Sequence, residues 1–388
     1  MERVCSIFSQ ILKLIPRAEF DRAVRKHEAE KHAKGLSSWS QFIALLFCQL
    51  GGAHSLREII GGLAASEGKL RHLGVPLAPT RSTLAYANQH RPWQVYKDLF
   101  DSLVQQCHGE AALRKRKFRF KAPLLSLDST TIPLCLSVFD WALYRQQKGA
   151  AKVHVVLDNA TLLPQFAVIT HGKTADITVA RRMTFPAGAL LVFDRGYEDH
   201  AWWRKLSAGG VRFVSRLKDS THYAIVEQRP SSPDPKVIRD EVVVLASEKD
   251  LEHALRLRRV EVWVEEKQDT LAFITNDLKL AASTIAAIYK DRWQIELFFK
   301  AIKQSLRIKT FIGTSENAVQ TQIWTALIAI LLVRFLQLRS TWNWGLSNLA
   351  ALLRQQLFVY RELWDWLNAP FRPPIALDDS QLVLPGLG

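Results

Sequence analysis

Cysteine is scarce in this chain of 388 residues, and no two of the four (Cys5, Cys48, Cys107, Cys135) form a CxxC pair. That spacing excludes a disulfide scaffold and a Cys-rich zinc module, and it fits a reducing cytoplasm. There is no Gly-rich phosphate loop, no Walker lysine motif and no HExxH, so an NTPase or zinc-hydrolase reading has no footing. The opening MERVCSIFSQILKLIPRAEFDR has neither a long apolar stretch nor a small-residue cleavage site, so no signal peptide is expected. The longest apolar run, Ile323 to Leu338, is short for a membrane span and carries Arg334 and Gln337. It reads as a buried helix, and no membrane partner is expected. No internal repeat is found. Negative charge is also in deficit. Asp and Glu number 37 against 52 Lys and Arg, a net +15. A folded chain that is 48% hydrophobic with such an excess usually meets a polyanion. Ten of those net charges fall in residues 1–121, which hold 20 Lys/Arg and 10 Asp/Glu.

The front of the chain reads as helical. Trp39, Phe42, Leu45, Leu46 and Leu50 recur at helical spacing until Gly51-Gly52 breaks the run. Ser55 and Glu58 have capping-box spacing for a second helix. Thr80 or Ser82 then caps a short helix that runs to about His90. The pattern suits a helix-turn-helix-like DNA reader, with Arg81, Ser82, Asn88 and Arg91 as base- or phosphate-contacting candidates beside Tyr86 and Gln89. An ordinary helical bundle with a polar surface is the competing reading. The run RKRKFRFK at 114–121 is either a phosphate contact or a solvated linker.

From Pro123 the texture changes. Leu124–Leu127, Val153–Leu157, Phe166–Thr170, Ala189–Phe193 and Val211–Leu217 read as strands, with helices over 174–182 and 198–208. Residues 219–280 hold four more β-prone stretches and read as an insert rather than a continuation of the sheet. A long helix is expected from about Ser283 to Arg307, and further helix over 346–367. The Pro- and Gly-rich end reads as a loose tail. The expected fold is therefore α/β, a mixed sheet with a β-rich insertion, preceded by an all-α region. Its parts would be a helical DNA-binding domain (1–113), the first part of the core (114–218), the insertion (219–280), the completion of the core (281–340) and a C-terminal helical segment (341–388).

The chemistry lies in three acids. Asp128 and Asp194 each follow an apolar strand, where sheets commonly bind ligands. Either alone is more often a turn former. Two together repel, and a divalent cation relieves that repulsion. Glu296 sits in the apolar stretch IELFF, where an uncompensated carboxylate is costly. Tyr289, Arg292, Glu296, Lys300 and Lys303 follow at helical spacing on one stripe. A surface salt-bridge ladder would show the same spacing. In a basic protein, three acids beside a cationic stripe suggest two-metal phosphoryl transfer on nucleic acid, with Lys and Arg holding phosphates.

The stretch YKDRWQIELFFKAIK places Tyr289, Arg292, Glu296 and Lys303 at the spacing of the YREK signature. Together with LDST at 127–130 and FDRGY at 193–197, it resembles one large group of bacterial insertion-sequence DDE transposases. The N-terminal stretches FSQILKLIPRAEFDRAV and LSSWSQFIALLFCQL resemble the small helical domain that often precedes such a core. The resemblance implies a ribonuclease-H-like core and cut-and-paste transposition with a hairpin step, dependent on two Mg2+ or Mn2+ ions. Asp128, Asp194 and Glu296 would be the catalytic, metal-binding triad. Tyr289, Arg292 and Lys303, with Lys300 beside them, would hold DNA phosphate. Trp263, the one tryptophan of the insertion, would stack on a flipped base, and Trp293 is read as packing. Partners would be double-stranded DNA, as inverted-repeat ends and target, with a homodimer in the complex and a cytoplasmic, nucleoid-associated location. Relatives carry His-Asp in the loop after the third strand, where this chain has Ala175-Asp176. A transposase-derived repressor without catalysis and a metal-dependent nuclease are the alternative functions.

Overall fold

The computed structural model describes residues 5–31, 33–66, 68–111, 118, 122–134, 150–230, 232–246, 254–305 and 312–372. Most of the basic run at 114–121 and the tail beyond residue 372 lie outside the described residues.

Among the described residues six α-helices come first: α1 (Ile7–Leu12), α2 (Arg17–Lys26), α3 (Ser38–Gly51), α4 (Leu56–Ala64), α5 (Arg81–His90) and α6 (Gln94–Ala111). Their ends are set by local chemistry. Ser37 caps α3 by accepting from the Ser40 amide at 3.0 Å, and Gly52, at φ +72°, closes it in the left-handed region. Ser55 and Glu58 form the expected capping box: the Glu58 amide donates to Ser55 Oγ at 3.2 Å while the carboxylate takes the His54 amide at 2.9 Å. Thr80, not Ser82, caps α5.

Among the described residues nine strands form one sheet: β1 (Leu124–Pro133), β2 (Ala150–Asp158), β3 (Pro164–His171), β4 (Leu190–Phe193), β5 (Arg212–Arg216), β6 (Tyr223–Gln228), β7 (Val237–Leu245), β8 (Leu257–Val264) and β9 (Asp269–Thr275). Their order is β3-β2-β1-β4-β5-β9-β8-β7-β6. In the first five, β2 alone runs against the others, and β1, β4 and β5 are parallel. This is the ribonuclease-H-like core. The expectation that 219–280 stands apart from the sheet is corrected. Strand β9 pairs antiparallel with β5 through Val214↔Thr275, Ser215↔Ile274 and Arg216↔Phe273, so the insert extends the same sheet.

Seven more helices follow among the described residues: α7 (Asp176–Ala180), α8 (His200–Ala208), α9 (Ala282–Asp291), α10 (Trp293–Ser305), α11 (Glu316–Arg339), α12 (Leu346–Gln356) and α13 (Leu363–Asn368). Strand alternation divides the faces. Leu125, Leu127, Leu191 and Phe193 pack under Val179, Trp202 and Trp203 of α7 and α8. Leu124, Leu190 and Val192 face Ile285 and Ile288 of α9. The apolar run forms α11, which is buried among α3, α5, α6, α10 and α12. By length and composition it is the one described helix that passes for a membrane span, yet 89% of its apolar window is buried within the protein. A single apolar cluster joins the N-terminal helices to α10–α13.

The insert is stapled by charge. Arg258 on β8 makes a bidentate pair with Asp240 on β7, Nη2 to Oδ2 at 2.6 Å and Nε to Oδ1 at 2.8 Å, and also donates to the Leu280 carbonyl. The two side chains are 3% and 8% exposed. Removing Arg258 leaves Asp240 in a dry site with the more distant Arg229, 3.8 Å away. Arg258→Ala is therefore expected to cost about 3–5 kcal/mol in chemical denaturation. Asp240→Ala combined with Arg258→Met should cost clearly less than the two single losses added together.

Candidate active site

Parallel register brings the two aspartates together. Strands β1 and β4 pair in step from Leu124↔Leu190 to Leu127↔Phe193, so the next residues on each chain are Asp128 and Asp194. By alternation both share the face of Leu124, Leu190 and Val192, the face that α9 covers. Asp194 follows the end of β4, as expected. Asp128 does not end its strand: β1 runs on to Pro133, paired only with β2. The parallel half of the sheet stops at Asp128, and this leaves a crevice beside it. Each carboxylate takes a neighbouring amide: Ser129 N to Asp128 Oδ1 at 2.8 Å, and Arg195 N to Asp194 Oδ1 at 2.6 Å.

Burial pushes the Asp128 carboxyl up to about 6; the Ser129 amide and Arg292 pull it down, while Asp194 and Glu296 push it further up. The two other acids thus act on Asp128 through one shared field.

The expected single helix from Ser283 to Arg307 is two helices. Helix α9 ends at Asp291, α10 begins at Trp293, and Arg292 is the break. Across it the bonds tighten to three-residue spacing, Arg292 N to Tyr289 O and Ile295 N to Arg292 O, both at 3.1 Å. Glu296 therefore stands in the first turn of α10, where the helix dipole favours negative charge. Ile295, Phe298 and Ile302 of the same helix enter the core.

Arg292 ties the acids together. Its Nη2 lies 2.5 Å from Glu296 Oε1 and its Nη1 3.5 Å from Asp128 Oδ2. The guanidinium is largely buried and sits 5.5 Å from the Tyr289 ring. Burial raises the Tyr289 hydroxyl pKa, Arg292 opposes that, and Asp194 adds to it. Lys300 and Lys303 are exposed farther along α10. The donor set, three carboxylates in a partly dry crevice, suits a hard divalent ion. As the side chains stand, no group of three His, Cys, Asp or Glu among the described residues is gathered to hold one.

A cleft of about 440 Å³ adjoins Arg292, lined by Trp263 and Phe273 of the insert and by Tyr289, Lys290, Arg292 and Trp293. Trp263 is 38% exposed and Trp293 56%. Reading Trp293 as packing is thus corrected. On helical spacing Trp293 lies far round from Ile288, Ile295 and Phe298, the buried face of α9 and α10.

Asp176, the first residue of α7, also reaches the site. It takes a hydrogen bond from Ser129 Oγ at 2.6 Å and lies 3.2 Å from Lys152 Nζ. His154 Nδ1 is 3.4 Å away. Burial lowers the His154 pKa to about 4, so the ring is neutral near pH 7 and Lys152 supplies the counter-charge.

The reader candidates divide. Arg81 and Ser82 are exposed on α5, as are Gln89 and the stacked pair Tyr86–His90, whose rings lie 4.0 Å apart. Asn88 is 2% exposed and takes the Gln41 amide at 2.9 Å. Arg91 donates to Gln41 Oε1 at 3.2 Å and to the Leu36 carbonyl. Both side chains hold α5 against its neighbours, and the sequence pattern alone does not separate the two faces of so short a helix.

Residues 119–332 match the family described as the transposase DDE domain, and residues 4–76 match a domain of unknown function, DUF4372. Over 282 residues the chain is 36% identical to a protein of Sinorhizobium fredii named as a transposase, covering 71% of this chain and 77% of that one. A Geobacillus stearothermophilus protein, named as a transposase for an insertion sequence element, is 30% identical over 277 residues, 70% of this chain and 72% of its own. A Synechocystis protein named likewise is 25% identical over 264 residues, 66% of this chain and 71% of that one. The DDE match takes in both strands and the helix that carry the three acids, and the chain belongs to the DDE transposase family, a DNA-cleaving and strand-transferring enzyme class dependent on divalent metal.

Proposed function

We propose that this transposase performs cut-and-paste transposition of an insertion sequence, with a hairpin at each excised end. The observation that carries the reading is the in-step pairing of β1 with β4, which sets Asp128 beside Asp194, together with the Arg292 bridge from Asp128 to Glu296. Asp128, Asp194 and Glu296 would hold the Mg2+ or Mn2+ ions, two in number. Bound there, such ions supply an activated attacking oxygen and offset charge on the scissile phosphate.

The chain's own residues do the rest. Arg292 holds its planar donor fork between Glu296 and Asp128 in the crevice, where it would also meet phosphate oxygens. Tyr289 backs that guanidinium, and Lys300 and Lys303 extend the positive stripe along α10. Trp263 offers a π face for an unstacked base in the cleft beside Arg292, and Trp293 lines the same cleft. Arg81 and Ser82, with Tyr86 and Gln89, form the exposed face of α5 that would meet double-stranded inverted-repeat ends. Joining two ends at once calls for a homodimer in the DNA complex.

Supercoiled plasmid carrying candidate ends, incubated with Mg2+, tests the reading. Excision with joined products supports transposition, nicks without joining favour a nuclease, and end binding with intact plasmid favours a repressor. Asp194→Ala is expected to bind ends as the parent does and to leave the plasmid uncut.

The charge on Asp128 has a stability consequence with a definite sign. Its folded pKa, about 6, lies above the ordinary value of 3.8. The folded state therefore holds the proton more tightly, and this group's contribution to stability declines as pH rises from about 4 to 6. Asp128→Asn mimics the protonated form. In thermal melts without metal it should stabilise the protein by about 1–3 kcal/mol at pH 8, a gain that vanishes below pH 4. An equal gain at both pH values would show that burial and like charge are not the cause.

A further inference from the structure

Asp291, the last residue of α9, is 5% exposed. A carboxylate there is doubly unfavourable: it is nearly dry, and it stands at the negative end of a helix dipole. Asn159, in the turn between β2 and β3, meets it. Its Nδ2 donates to Asp291 Oδ2 at 2.9 Å and to the Asp291 carbonyl at 3.1 Å, an oxygen that a helix C-terminus leaves without an intrahelical partner. The other end of the same amide is held by β1. Ser126 Oγ donates to Asn159 Oδ1 at 2.7 Å, and the Asn159 amide N donates to the Leu124 carbonyl at 2.9 Å. Ser126 is fully buried, so its hydroxyl has no water to turn to.

The two ends of this chain of bonds are informative. Ser126 lies two residues before Asp128 on the same face of β1. Asp291 lies one residue before Arg292, the break that sets α10 and Glu296. We infer that Asn159 is a positioning residue of the active site, a polar clamp that fixes the α9–α10 break, and with it Arg292 and Glu296, relative to Asp128. The clamp spans 132 residues of sequence between Asn159 and Asp291, and it touches none of the three acids. This rests on the reading of Asp128 and Glu296 as the acids of cleavage.

The bond pattern gives a rescue test. Asn159→Asp sets one carboxylate against another; adding Asp291→Asn restores the side-chain bond with the polarity reversed, Ser126 keeps its acceptor, and the Asp291 carbonyl alone loses the Asn159 donor. End cleavage and its Mn2+ dependence are measured for Asn159→Ala, Asn159→Asp and the swapped pair, at a temperature where circular dichroism shows each to be folded. Binding of end DNA without metal is measured alongside. Both single variants should bind ends within about twofold of the parent, cleave on the order of 10- to 100-fold more slowly, and need more Mn2+ for half-maximal rate. The swapped pair should recover most of the rate and the Mn2+ requirement. The inference is overturned if Asn159→Ala cleaves with the parent's rate and Mn2+ midpoint, or if the swapped pair stays as slow as Asn159→Asp. It is equally overturned if none of the variants folds, since the amide is then a requirement of folding rather than of alignment. Asp128→Asn, run in parallel, separates the two claims. If that variant cleaves, the assignment of the acids fails; if it is silent while Asn159→Ala is normal, only the clamp fails.

Discussion

Two carboxylates on adjacent parallel strands repel each other, and everything around the crevice is arranged to keep them there. The register of β1 against β4 leaves no freedom: slipping by one residue would send Asp128 to the face occupied by Trp202 and Trp203. Apolar side chains on both faces of these strands hold that register, because any slip would expose leucines and bury polar groups. The acids are thus held in place by burial elsewhere. Arg292 is the nearest counter-charge, shared between Asp128 and Glu296. Even so, the Asp128 carboxyl remains near 6, so desolvation outweighs the help it receives.

The continuous sheet gives the crevice a second wall. Strand β9 pairs with β5 on one side and β8 on the other, and the chain passes from β9 directly toward α9. Trp263 on β8 therefore belongs to the same hydrogen-bonded surface as the aspartates. It reaches the cleft from a rigid strand rather than from a loop, which is how sites keep their geometry. The buried Asp240–Arg258 pair fixes β7 to β8 behind it. An insert joined only by a linker would have left the distance from Trp263 to Arg292 unset.

What was legible in the sequence was local. The capping box at Ser55 and the strand-then-aspartate pattern at 190–194 depend on residues a few positions apart, and both are found in the fold; at 124–128 the strand runs on past Asp128, and the stripe from Tyr289 to Lys303 is split at Arg292. Family resemblance joined these pieces where periodicity alone left a surface salt-bridge ladder as the competing, less convincing reading. The helix break was not legible. Residues 283–305 contain neither proline nor glycine, and helical periodicity runs through Arg292 without a mark. The tie at Asp291 comes from Asn159, far away in sequence. The inward turn of Asn88 was hidden for the same reason, since Gln41 on α3 and Asn317 on α11 supply its surroundings. The extension of the sheet by β9 escaped notice because strand patterns show that strands exist, not which neighbour they choose.

Buried polar groups are costly unless satisfied, so the few long-range ones that persist show which elements must hold their alignment. Two such sets stand out. One joins α5 to α3 and α11: Gln41 bonds Asn88 and Arg91, while Asn317 Nδ2 donates to the carbonyls of Asn88 and Arg91 at 2.9 and 2.7 Å. The other joins β1 to the end of α9 through Ser126, Asn159 and Asp291. Apolar packing alone would hold these helices close while tolerating small slides and rotations, because dispersion is non-directional. Directional bonds remove that freedom. Each set fixes its own elements, and the exposed face of α5 is joined to the acids of the crevice through the apolar packing of α11 against α10.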